Sequence, residues 1–194
     1  LHWHMMEECC LPEAEQAVWA HAIPVRVGPV LTHLPHHTDH LIHTLVHGLR
    51  WEQVSPIRWV ADSVTILRRA GSGGVDWDRL IDRVQFCKVV VPMRLGLHYL
   101  AKKYDAPIPS DVLSHLDRIS VPRREVNEFR AKAVRRTPWR RLRFHWYNYQ
   151  RLRSQINTSV PIFSFLYYLQ LRLGLPSLRQ LPRAIAERTP GFRD

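Results

Sequence analysis

Three features of the sequence predict a mainly α-helical protein with a short β-containing opening, an α+β chain in which helices dominate. Four successive segments, His40 to Trp51, Ile57 to Ala70, Asp76 to Val89 and Pro92 to Tyr104, carry apolar residues at helical spacing. The Val-rich stretch from Ile23 to Leu34, broken by Pro24, Gly28 and Pro29, is the last place where sheet signals hold. With 194 residues and 45% apolar content, the chain is long enough to bury a core without metal or disulfide.

The elements follow in order. Leu1 to Met6 alternates apolar side chains with His and reads as a short strand; Pro12, with acids in the turn behind it, opens a helix. Ile23 to Leu34 reads as an extended connection or edge strand. Ser55-Pro56, the Gly71-Ser72-Gly73-Gly74 run and Pro92 mark the boundaries of the four helices, Asp76 is placed to cap the third, and Ile57, Val60, Val64 and Leu67 form the cleanest apolar stripe. A turn at residues 106–110 leads to a short helix from Ser110 or Asp111 to about Ile119, and Pro122 opens another through Val134. From Arg135 the composition changes. Arg135, Arg136, Arg140, Arg141, Arg143, Arg151 and Arg153 interleave with Trp139, Phe144, Trp146, Tyr147 and Tyr149, an apolar helix runs from Pro161 to Leu173, and the Leu/Pro/Arg tail is expected to be less structured.

Lys and Arg number 28 against 17 Asp and Glu, a formal +11 that favours an anionic partner: nucleotide, nucleic acid or an acidic lipid surface. The three cysteines, adjacent Cys9 and Cys10 and the distant Cys87, match neither a disulfide framework nor a zinc knuckle and are read as reduced thiols. No apolar run approaches the ~20 residues of a membrane span, so a soluble, cytoplasmic protein is expected. The chain opens on Leu1, inside the expected strand, which suggests a fragment of a longer protein.

Six of the twelve histidines fall between His33 and His47. At 100° per residue, His40, His43 and His47 share one side of a helix, while Leu41, Ile42, Leu45, Val46 and Leu49 take the other. Such a His stripe is either a low-order transition-metal site, with His36 as a fourth ligand, or a polar face turned to a cleft. The lack of a Cys pair, an H-E-x-x-H motif or a carboxylate beyond Asp39 and Glu52 favours the polar face. The glycine run lacks the Lys of a P-loop, and Asp76 and Asp78 suit a helix start better than a metal pair. In the Arg-aromatic segment, Arg140, Arg141, Arg143, Trp146 and Arg151 are candidates for an anionic partner, either nucleic acid or a membrane surface; the alternative is a solvated amphipathic helix with its rings inward.

Several of these patterns occur in one familiar order: Leu1-His2-Trp3; Trp19-Ala20 before Val25-Arg26-Val27; His43-x-x-x-His47-Gly48; Arg58-Trp59-Val60-Ala61-Asp62; and Val75-Asp76-Trp77-Asp78-Arg79-Leu80. Over residues 1 to 110 the chain resembles the uncharacterised bacterial nucleotidyltransferase family of the DNA polymerase β-like superfamily. The resemblance implies that residues 1–34 are the remnant of a small mixed β-sheet and that 35–134 form a helical domain walling a nucleotide cleft, while composition makes 135–194 a basic, aromatic-rich helical tail. It also implies transfer of a nucleotidyl group from an NTP to an unknown acceptor with two Mg or Mn ions. In the family the Gly-Ser turn and the metal-binding carboxylates align before Leu1, so no catalytic residue is expected in this chain, which is expected to be inactive alone. The substrate-binding candidates are His43, His47 and Arg50, with Trp59 and Asp62 one helical turn apart.

Overall fold

The computed structural model describes residues 4–49, 57–69, 74–132, 138–155 and 165–187. Ten α-helices and one antiparallel hairpin are present among them, in the order α1 (Pro12–Ala20), β1 (Ile23–Val27), β2 (Val30–Leu34), α2 (His37–Gly48), α3 (Ile57–Arg69), α4 (Trp77–Phe86), α5 (Val90–Tyr104), α6 (Ser110–Arg118), α7 (Arg123–Lys132), α8 (Pro138–Gln155), α9 (Phe165–Arg172) and α10 (Leu181–Glu187). The chain is thus mostly helical with a two-stranded sheet near its start. It divides into two compact units, Leu1–Val126 and Asn127–Asp194.

The opening differs from the expected strand. Among residues 4–6 only Met6 is bridged, to Cys9, with Cys9 N–H donating to Met6 C=O at 3.2 Å. Side chains have taken the backbone groups a ladder needs: Met5 N–H donates to Glu15 Oε1 at 3.0 Å, and Met5 C=O accepts from His43 Nδ1 at 2.7 Å. Leu1 to Trp3 lie outside the described residues. The Ile23–Leu34 stretch is not one extended segment but a hairpin, with Val27 opposite Val30 and a two-residue turn at Gly28-Pro29. Gly28 has φ +58°. A proline at the second position excludes positive φ there, so this is the glycine-first primed turn, whose twist suits paired strands.

In the first unit, α2 packs against α3, α4 and α5, and α5 carries α6. Leu41, Ile42, Leu45 and Val46 of α2, Val60 and Leu67 of α3, Leu80 and Val84 of α4, Met93, Leu97 and Leu100 of α5 and Leu116 of α6 form one continuous core. α2 begins before the predicted His40, because the Nδ1 of His36 accepts the Thr38 N–H at 3.2 Å and closes the helix start. α4 opens as predicted at the Asp76 cap, whose carboxylate accepts Arg79 N–H at 3.0 Å. It ends earlier than Val89: Lys88 has a left-handed φ of +54°, which a continuing helix does not allow. α5 then starts two residues before Pro92. Proline is tolerated there because the first turn's N–H groups have no intrahelical partner, and Val91 N–H is satisfied by Glu125 Oε1 at 2.9 Å.

α2 and α3 meet at Gly48. A Cβ at that position would overlap Cβ and Cγ of Trp59 and stand 2.8 Å from its Cδ1, so only glycine permits this approach. Behind α2, the buried carboxylate of Asp39 lies between two guanidinium groups of α4. It contacts Arg79 Nη2, and its Oδ1 is 3.2 Å from Arg83 Nε. Arg83 reaches on to donate to Ala14 C=O at 3.1 Å, tying α1 to α4 across 69 residues of sequence.

In the second unit, Arg151 of α8 donates through Nε to both oxygens of the buried Glu128, at 2.8 and 2.9 Å. Trp146 and Tyr149 of α8 pack on Phe165 of α9, with ring centroids 5.1 and 5.5 Å apart, and Tyr149 also meets Tyr168. Over residues 178–187 the tail is more ordered than its composition suggests. A 3-10 turn at Leu178–Gln180 leads into α10, whose Leu181 and Ala184, three residues apart, are buried where α10 packs on α9.

Candidate functional site

The histidine-bearing face of α2 is the candidate site. Its apolar side is buried as the periodicity predicts, and His40 and His47 stand exposed on the other side. His43 is half-buried and committed. The carbonyl of Met5 can only accept, so Nδ1 of His43 carries a proton in this bond. Its ring stacks on that of His47, 5.5 Å between centroids and 10° between planes. His43 therefore orients His47 and anchors the N-terminal segment, which is also tied to α1 through His4 and Glu15 at 3.6 Å.

At the helix start, His36 and His37 lie 5.9 Å apart, with Arg79 and Asp39 behind them. Burial, and then the Arg79 guanidinium, hold the His36 imidazole below its usual pKa range, while Asp39 opposes them. The neutral ring is also what the cap needs, since Nδ1 must keep its lone pair for Thr38 N–H.

Of the other predicted residues, Trp59 is in the core at 7% exposure, tilted against Tyr99 at 5.7 Å, with no hydrogen-bond partner for its Nε1 among the described residues. Asp62 is exposed on α3 and pairs with no described His or Arg. Arg50 and the Gly71-Ser72-Gly73 run lie outside the described residues, as do the side chains of Arg140 and Arg141 on α8. Arg143 lies 5.7 Å from the ring centroid of Tyr147, Trp146 is part of the aromatic packing between α8 and α9, and Arg151 is buried against Glu128 rather than offered to a partner.

No three His, Cys, Asp or Glu side chains among the described residues converge to hold a metal ion, and His40, His43 and His47 form no such group. Asp39, the most buried aspartate, is occupied by two arginines. This donor set does not fit a pair of divalent ions. Sequence reasoning missed the Asp39–Arg79–Arg83 cluster, although a signal was present: Asp39 lies three residues before Ile42 and seven before Val46, on the apolar stripe itself.

The model of an uncharacterised nucleotidyltransferase family matches residues 1–105. The chain belongs to this family. The match runs from the N-terminal segment through α5, so the α2 face, the Asp39 cluster and the Gly48–Trp59 approach are all parts of the nucleotidyltransferase homology. No curated protein and no solved structure matches the chain.

Proposed function

We propose that the first unit forms the helical wall of a nucleotidyl-transfer cleft, and that the exposed face of α2 meets the nucleotide. The family match over residues 1–105 carries this reading. In such a reaction an acceptor hydroxyl attacks the α-phosphate of an NTP and pyrophosphate leaves. Mg or Mn ions supply charge neutralisation where a protein offers carboxylates for them. The part we assign to this chain is binding.

His40 and His47 are exposed donors to phosphate oxygens, with His43 holding His47 in place by ring stacking and its own bond to Met5. Arg50, Trp59 and Asp62 remain candidates for the same wall, Trp59 by shaping the α2–α3 junction from within the core. The acceptor is not specified by any of these groups.

Titration of the chain with Mg-ATP, followed through the imidazole proton resonances, tests the proposal. His40 and His47 are expected to shift together, and His40→Ala with His47→Ala to weaken nucleotide binding about tenfold or more. Unmoved His40 and His47 resonances in the presence of bound nucleotide, or no binding at millimolar nucleotide, would overturn it.

A further inference from the structure

The charge of this protein is divided by structural unit. Residues 127–194 hold 14 Lys and Arg against 3 Asp and Glu, a formal +11, while residues 1–126 hold 14 of each. The whole excess therefore belongs to the second unit. Of its three acids, Glu128 is buried against Arg151 and adds nothing outward.

The same unit exposes a face that water does not favour. Phe165, Tyr168 and Leu169 of α9 turn inward, the two rings onto α8, and Leu169 is 2% exposed. The opposite side of α9 carries Leu166, Tyr167 and Leu171, exposed at 55%, 38% and 57%. A helix that is apolar on both sides is ordinarily covered on both. Leu178 and Ile185 are further exposed apolar side chains of the unit, and Arg172, Arg179 and Arg183 are exposed beside them in sequence.

The cover must accept leucine and carry negative charge. Nucleic acid supplies the charge, but it rewards flat rings by stacking and gains little from aliphatic side chains. Of the α8 rings, Tyr149 is buried against Phe165 and Tyr168, Trp146 packs on Phe165 at 42% exposure and Trp139 is 80% exposed, whereas the outward side of α9 presents two leucines and one tyrosine. A bilayer surface rich in acidic phospholipid meets both demands, taking leucines at headgroup depth and arginines on its phosphates.

We propose that the second unit docks peripherally on an anionic lipid surface through the outward face of α9. Leu166 and Leu171 enter the interface, and Arg179 lies over the lipid phosphates. The inference does not depend on the nucleotidyl-transfer reading of the first unit.

Co-sedimentation of the full chain with phosphatidylcholine vesicles, with and without a third of phosphatidylglycerol, is the test. Binding is expected only to the anionic vesicles and to weaken as ionic strength rises from ~0.15 M toward ~1 M. L166S/L171S is expected to lose about tenfold per leucine, and R179Q about fivefold. Both leucines are exposed, so the parent circular dichroism spectrum is expected for that variant; if it fails to fold, the single variants are read instead, each at about tenfold. Absence of binding to anionic vesicles at low salt overturns the proposal. So does undiminished binding by the leucine variants, or a single-stranded oligonucleotide bound tightly by a chain that ignores vesicles.

Discussion

Replacing Asp39 by Asn tests how the first unit is held together. The carboxylate is almost wholly buried, with its side chain 1% exposed, and its two partners are nearly so, at 11% for Arg79 and 8% for Arg83. At 3.2 Å and an effective dielectric near 20, the Asp39–Arg83 attraction is about 5 kcal/mol before desolvation is counted. Guanidinium groups cannot escape by losing a proton. D39N preserves shape and one acceptor but leaves two buried cations without a counter-charge, a change that costs about 3–5 kcal/mol. For a unit of this size that is a fall in Tm of roughly 12–20 °C, a large part of the ~5–15 kcal/mol that stabilises a domain. Thermal unfolding followed by circular dichroism, with urea titration as an independent measure, reads the loss. Adding Arg83→Met to D39N removes one of the stranded charges, so the double variant is expected to be less unstable than the sum of the single ones, by about 1–3 kcal/mol. A D39N protein within ~1 kcal/mol of the parent, together with additive single and double variants, would refute the assignment of Asp39 as the charge that joins α2 to α4.

Gly48→Ala places a methyl group into Trp59, forces α2 and α3 apart and is expected to cost about 1–3 kcal/mol in the same unfolding assay; unchanged stability would show that the two helices need no such approach. His36 binds a proton less readily folded than unfolded, so between its lowered folded pKa and the ordinary 6.5 the unfolded chain holds more protons. Its contribution to stability is therefore full above 6.5 and lost as pH falls below that value. His36→Asn, which keeps a capping acceptor, is expected to flatten the decline of Tm on acidification relative to the parent; parallel profiles would contradict this. Cys9 and Cys87 are buried cysteines outside any disulfide, and burial, followed by the charges of Cys9, Glu7, Glu15 and Glu8, pushes the Cys10 thiol up. A thiol-exchange reagent at neutral pH is expected to label Cys10 slowly and the other two only on unfolding, whereas fast labelling of all three in the native state would count against the described N-terminal packing.

The first unit was largely legible in the sequence because its signals are local. The stripe of Leu41, Ile42, Leu45 and Val46 follows from helical period alone, as does the cap at Asp76, and both stand in the structure. Order and spacing of short motifs sufficed for the family. What failed locally was overruled from a distance. Residues 4–6 have the alternation of a strand, but Glu15 and His43 capture the Met5 backbone. The tail has the composition of loose chain, but Leu181 and Ala184 acquire a helix because α9 offers them a surface.

Sequence by itself determined the helical class, the apolar faces and the basic character of the C-terminal part, since each depends on which residues occur and at what period. Tertiary structure decided which groups meet: a carboxylate of α2 between two arginines of α4, His43 on Met5 with His47 stacked above it, and Trp59 against Gly48. It also assigned the leucines of α9 to an inward and an outward side. Periodicity is set by the backbone of one helix, whereas pairing depends on how two helices cross, and burial makes that crossing depend on every side chain between them.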